Sequence, residues 1–261
     1  MQRITRILML SAAIAVPGNA MAQPARQQVK PTIVLVHGAF AESSSWNAVI
    51  ADLNKDGYTA IAAANPLRSV SGDAAAVSAV VRSISGPVVL VGHSYGGPVI
   101  TEAASGNSNV KALVYVAGFA PDTGESSISL SSKFPGSTLG DALLPVAQPD
   151  GGQDLYIRSE KFHEQFAADV PAAEASLMAA TQRPVAKAAL AEPSRTASWK
   201  TIPSYAIYGS ADRNIPSAVL KFMAERAHAV KTVVIKDASH ALMVSHPREV
   251  TALIEDAASV R

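Results

Sequence analysis

Apolar positions along the chain alternate between two rhythms. Thr32-Ile33-Val34-Leu35-Val36 is an unbroken aliphatic run, as in a strand buried on both faces. Trp46, Val49, Ile50 and Leu53 then fall at i, i+3, i+4 and i+7, which predicts an amphipathic helix that Gly57 ends. Tyr58 to Ala63 reads as a second strand, and Val77, Val80, Val81 and Ile84 repeat the helical spacing. Pro87 to Val91 is a third buried strand, leading into Gly92-His93-Ser94-Tyr95-Gly96-Gly97 and another helix. Further strands are expected at Val110–Val116, Ser204–Tyr208 and Thr232–Ile235. Val219, Phe222, Met223 and Ala227 mark one late helix; Val250, Leu253, Ile254 and Ala257 mark the last. Strands separated by helices of this length need crossover connections, so the fold class is α/β: a mostly parallel sheet with helices on both faces.

One stretch breaks the rhythm. Between Pro121 and about Lys200 no buried strand is evident; Pro145 to Gly152 reads as loop, and Phe162–Ala168 and Ala172–Ala180 read as helices. An insertion this long is more than a connection. It is expected to form a helical cap over the carboxyl edge of the sheet, where open α/β sheets bind ligands. The division expected is therefore core at 31–120 and 201–261 with a cap at 121–200. A second, independent domain is the alternative, disfavoured because the strand pattern resumes.

The N-terminus follows neither rhythm. Arg3 and Arg6 precede an apolar run from Ile7 to Val16 that is too short to span a bilayer as a mature helix. Pro17-Gly18 breaks the run, and Ala20-Met21-Ala22 fits a small-x-small cleavage site. Residues 1–22 are thus expected to be a signal peptide removed before Gln23, and 23–30 a polar linker, giving an exported, periplasmic or secreted protein. The alternative is a retained N-terminal anchor helix. No stable membrane span is expected after processing.

Composition narrows the chemistry. The chain has 261 residues, of which 48% are hydrophobic and 16% charged, with a net charge of +1, which argues against general disorder and against a nucleic-acid binder. It contains no cysteine, which excludes disulfides, thiolate zinc sites, iron–sulfur clusters and a cysteine nucleophile.

The chemistry concentrates at Ser94. A buried strand, then Gly-x-Ser-x-Gly, then a helix places a serine on a sharp turn at a sheet edge. Side chains at Gly92 and Gly96 would clash with the neighbouring strand and helix. The Tyr95 N–H, at the start of the helix, can meet a developing oxyanion. Serine needs a base. Of six histidines, His240 follows the last strand directly, in Lys236-Asp237-Ala238-Ser239-His240, and is preferred to His246. His37 reads as structural, His93 sits beside the serine and cannot approach as base, and His163 and His228 fall on expected helices. The orienting carboxylate is expected at Asp212, just past the strand ending at Tyr208. Asp122 is the rival; Asp237 reads as a turn residue. A second oxyanion donor is expected from the loop after the first strand, at the Ala39 N–H, with Phe40 either lining the pocket or packing.

The motifs together carry a resemblance. They are His37-Gly38-Ala39 with Trp46, Gly92-His93-Ser94-Tyr95-Gly96-Gly97, Ala117-Gly118-Phe119-Ala120-Pro121, Asp212-Arg213-x-Ile215-Pro216, and Ser239-His240 with Met243, Ser245 and Pro247. Phe162-His163-Glu164 and Met178 to Pro184 extend it into the cap. The chain resembles α/β-hydrolases of the group that contains bacterial carboxylesterases (pyrethroid-hydrolysing ones included), plant methylesterases and hydroxynitrile lyases. The resemblance implies a serine hydrolase with the chain order Ser94, Asp212, His240, a small helical cap, and no cofactor or metal. The lyases of this group carry a lysine directly after the catalytic histidine; Ala241 stands there, which favours ester hydrolysis. Dehalogenases and epoxide hydrolases resemble the fold with an aspartate in place of Ser94. The expected partner is a small-molecule ester of modest, apolar character. A cofactor-free lyase or perhydrolase, or a slow-turnover small-molecule receptor, are the alternatives.

Overall fold

In the computed structural model of the protein, residues 29–259 are described. The expected signal peptide and most of the expected linker lie outside them. Strands β1 (Thr32–Val36), β2 (Ala60–Ala63), β3 (Val88–His93) and β4 (Val110–Val116) precede the insertion. Within it lie β5 (Leu143–Ala147), β6 (Gln153–Ile157) and β7 (Val185–Ala186). Strands β8 (Ser204–Gly209) and β9 (Lys231–Ile235) complete the set.

The six strands outside the insertion form one parallel sheet in the order β2-β1-β3-β4-β8-β9. β1, β3, β4 and β8 are central and almost wholly buried, which is why they are mostly apolar on both faces rather than alternating. β9 is an edge, and Val234 is half exposed on it. The helices Asn47–Lys55 and Pro247–Ala258 pack together on one face, and Val70–Arg82 and Gly96–Ala103 on the other. This is the α/β-hydrolase architecture.

Strand register decides which loops can meet. Val36 pairs with Gly92, Gly92 with Tyr115, and Val116 with Ile207. The carboxyl ends of β1, β3, β4 and β8 therefore come level, and the loops that leave them share one edge.

Two features differ from the expectation. The helix expected around Val77 begins already at Val70. Ser69 caps it, its hydroxyl accepting from the Gly72 N–H at 3.0 Å, and the alanines of its first turns carry no periodic signal. The insertion holds helices at Ser159–Phe166 and Ala172–Thr181, but β5, β6 and β7 also form a three-stranded antiparallel sheet within it. Pro145 to Ala147, read as loop, belong to β5, and the turn proper is Gln148–Gly152, where the Gln148 N–H donates to the Gly152 carbonyl at 2.9 Å. β5 is an exposed edge strand containing a proline, and β7 is two residues long, so neither leaves the alternation by which a strand is recognised.

The insertion is stitched to the loops at the sheet edge. The Phe40 N–H donates to the Arg183 carbonyl at 3.0 Å, the Ala186 N–H to Leu67 at 2.9 Å, and Arg68 pairs with Asp154 at 2.6 Å. Among the described residues no helix is long and apolar enough to cross a membrane.

Candidate active site

Ser94 stands between the end of β3 and the helix Gly96–Ala103, with φ at +53°, a left-handed conformation that a side chain rarely adopts. The surroundings over-determine it. The Ser94 N–H donates to the Val116 carbonyl at 3.2 Å, and its own carbonyl accepts from Gly97 at 2.9 Å and Phe119 at 3.1 Å. The turn closes only with glycine at its flanks. A Cβ on Gly92 would come within 2.6 Å of the Gly96 carbonyl oxygen, and one on Gly96 within 2.5 Å of that of Val36 in β1.

The turn presents Ser94 to a cavity of about 570 Å³ between the sheet edge and the insertion. Ala39, Phe40, Tyr95 and Phe119 form its floor, and Leu139, Leu143, Leu155 and Leu190 line it from the insertion. Phe40 has φ at +62°, lies edge-on to Phe166, and also borders a second cavity of about 340 Å³. It both lines the pocket and packs. The backbone N–H groups of Ala39 and Tyr95 are taken up by no other backbone carbonyl among the described residues.

His240 and Asp212 meet in the loops after β9 and β8. His240 Nδ1 lies 2.6 Å from Asp212 Oδ2, both side chains buried. The other carboxylate oxygen, Oδ1, accepts the N–H groups of Asn214 at 2.8 Å and Ile215 at 2.9 Å. The loop thus fixes the carboxylate, and the carboxylate fixes the imidazole. Phe166 packs edge-on against the His240 ring, with centroids 5.1 Å apart. The neighbour of Ser94, His93, reaches the same loop: its Nε2 lies 3.1 Å from the His240 carbonyl and the two rings are 4.7 Å apart. Burial, reinforced by the nearby His240, holds the His93 pKa well below 6.5, so His93 is neutral and donates that bond from Nε2. No hydrogen bond joins the Ser94 hydroxyl to His240; the side-chain bond His240 makes is to Asp212.

The other candidates are placed elsewhere. Asp122 pairs with Lys200 at 2.6 Å, and this bond, against a smaller opposing effect of burial, lowers its pKa. Asp237 is exposed, with φ at +58°, as a turn residue should be. His246 Nε2 faces Asp169 at 3.3 Å. His37 accepts the Asn65 N–H at Nε2 (3.3 Å) and contacts the Gly38 carbonyl through Nδ1 (3.0 Å), tying the first loop to the one after β2. Burial lowers its pKa as well.

Two supports carry no sequence motif. Tyr95 donates its hydroxyl to Asp73 Oδ2 at 2.9 Å; burial, then the Asp73 charge, push the Tyr95 pKa up, and burial raises that of Asp73. Asp169, in the insertion, accepts from the hydroxyl of Ser239, the residue before His240. Burial pushes the Asp169 pKa up, but bonds from Ser239 and Ser245 outweigh it and hold the group below the usual carboxylate value. Both contacts join segments far apart in the chain, which local spacing does not reveal. Among the described residues no group of three or more His, Asp or Glu side chains is placed to hold a metal ion.

Fold, the strained Ser94 turn and the buried histidine–carboxylate pair converge on one class. The sequence profile of the Alpha/beta hydrolase family matches residues 33–253, and the chain belongs to that family. It is 26% identical over 251 residues to an alpha/beta hydrolase of Aspergillus novofumigatus, covering 88% of this chain and 97% of that protein. It is 32% identical over 113 residues to a carbendazim-hydrolysing esterase of a Nocardioides species, spanning 38% of this chain and 47% of that enzyme. Its fold superimposes on the crystal structure of polyneuridine aldehyde esterase with a TM-score of 0.75 at 22% identity, covering 87% of this chain and 99% of the other.

Proposed function

We propose that the protein is a serine hydrolase that cleaves small to medium, largely apolar carboxylic esters through an acyl-enzyme. The observation that carries this reading is the strained Ser94 turn opening on an apolar cavity beside a buried His240–Asp212 pair. Ser94 Oγ attacks the ester carbonyl while His240 Nε2 takes its proton. Nε2 is the ring nitrogen left for this role because Nδ1 is bound to Asp212. The Ser94–His240 hydrogen bond forms with substrate in place, as such bonds often tighten only in the complex. Asp212 holds the tautomer and stabilises the imidazolium. The oxyanion is received by the N–H groups of Ala39 and Tyr95. The alcohol leaves with the proton from His240, and a water activated by His240 then releases the acid. The esterase in the name of one relative agrees with this reaction class.

Replacing Ser94 by alanine should abolish ester hydrolysis, by several orders of magnitude in kcat, with the fold intact. Retention of activity within about tenfold of the parent would remove Ser94 from its role. We further propose residues 121–200 as the cap over the site, and export with removal of residues 1–22. N-terminal sequencing of protein recovered from a bacterial periplasm should begin at Gln23, and a start at Met1 would contradict export by cleavage.

A further inference from the structure

Two cavities flank the loop that leaves β1. Ser94 and Ala39 border the larger, of about 570 Å³. The smaller, of about 340 Å³, is walled by Ala41 on the loop, Ala48 on the helix that follows it, Met178 in the insertion, and Met243 and Val244, three and four residues past His240. Ala39 borders the first cavity and not the second, and Ala41 the second and not the first. Phe40, between them, borders both and is the single residue that the two linings share. At this point the partition between the cavities is one residue thick.

Phe40 is held firmly in that position. Its backbone is left-handed, with φ at +62°, and its N–H donates to the Arg183 carbonyl of the insertion at 3.0 Å. Its ring lies edge-on to Phe166, with centroids 6.4 Å apart, and the residue is 3% exposed. Phe166 in turn packs on the His240 ring, so the partition stands beside the histidine as well as beside Ser94. Ala41, Met178, Met243 and Val244 give the second cavity an apolar side, and of its two carboxylates Glu42 faces Arg183 at 3.7 Å and Glu174 is exposed.

We infer that Phe40 is a specificity-determining residue: it closes the second cavity to a substrate bound at Ser94 and so sets the length of chain that the site accepts. The inference deepens the esterase reading and rests on it for placing the scissile carbonyl at Ser94. Each methylene buried against an apolar wall raises affinity about fourfold, and one left in water adds nothing. Affinity therefore climbs with chain length and levels off where the first cavity ends. Without the ring, the climb continues into the second.

Binding to the Ser94→Ala protein tests this separately from turnover. Ligand-observed NMR would measure dissociation constants for two series of increasing chain length, methyl alkanoates for the acyl side and alkyl acetates for the alcohol side. Adding Phe40→Ala should move the levelling-off point of at least one series outward by about four methylenes or more, with about fourfold in affinity for each. Deleting the ring leaves a hole of its own, which accounts for part of any shift. The control is Ala48→Phe, which fills the second cavity from an exposed position on the helix Asn47–Lys55. Combined with Phe40→Ala it should take back about half of the shift or more, and alone it should leave the profile unchanged, because Phe40 already seals that space. Phe40→Leu should give a smaller shift in the same direction, and it carries the test if the alanine variant does not fold. The inference is overturned if the Phe40 variants level off where the parent does, if the whole shift survives Ala48→Phe, if Ala48→Phe alone shortens the profile, or if none of the compounds binds. Failure of the protein with Ser94 intact to hydrolyse any of these esters overturns the esterase reading instead, and the binding profiles then judge Phe40 by themselves.

Discussion

At the scale of single residues, Asp212 shows how one carboxylate can be held to one task. Its Oδ1 faces two backbone N–H groups and must be an acceptor, so an asparagine there would keep its carbonyl oxygen on the loop and turn its N–H₂ toward His240. That forces Nδ1 to accept and puts the proton on Nε2, the nitrogen that should receive the Ser94 proton. Asp212→Asn should therefore lower kcat by roughly three to four orders of magnitude with a much smaller change in KM. Asp122→Asn should change kcat only several-fold, because Asp122 is paired with Lys200 instead. Steady-state kinetics of the two variants would decide, and the reverse ranking would move the acid to the other loop. The sequence made both aspartates eligible, since each comes after a strand of the sheet. What singles out Asp212 is the run of N–H groups at Asn214 and Ile215 that cradle it, a feature of loop conformation that residue types do not record.

At the scale of elements, the site depends on how closely strands and loops approach. The Gly96 Cα position lies against the Val36 carbonyl, where neither β1 nor the helix can retreat without breaking ladder or helical bonds. Gly96→Ala should cost about 1–3 kcal/mol in stability and depress activity by tilting the Ser94 turn, read by chemical denaturation and ester turnover together. Unchanged stability would mean that the turn is looser than its contacts imply. A second coupling runs through Asp169, which binds Ser239 and faces His246 across the loop that carries His240. Asp169→Ala should lower kcat about tenfold through poorer placement of His240, and Asp169→Asn, which keeps an acceptor for Ser239, should restore most of it. Equal losses in the two variants would assign Asp169 a charge effect rather than a positioning one. The strand and helix rhythm of the core was legible because the central strands bury nearly every residue and the helices bury one periodic face. The second sheet was not, because β5 is exposed along most of its length and β7 is too short to show a period.

At the scale of the whole molecule, the buried histidines make stability depend on pH. His93 and His37 are neutral in the fold because burial lowers their pKa values, whereas in the unfolded chain they titrate near 6.5. Their contribution is fully present above 6.5 and is lost as pH falls below it, because the unfolded state then binds protons that the folded state refuses. The expected slope is about 1.4 kcal/mol per pH unit for each fully refused proton, and denaturation midpoints measured from about pH 7.5 down to about pH 5 should fall accordingly. The His93 ring resonances should not titrate over the same range; a His93 that titrates near 6.5 would contradict its burial. Such a profile tests the packing; the proposed role of Ser94 as the nucleophile of an ester hydrolase is tested by covalent labelling. The most direct measurement is intact-protein and peptide mass spectrometry after treatment with a serine-directed fluorophosphonate. A single adduct per chain is expected, located on Ser94, formed in step with loss of esterase activity and absent from Ser94→Ala. An adduct on another residue, or none at all on a protein that still hydrolyses esters, would contradict it.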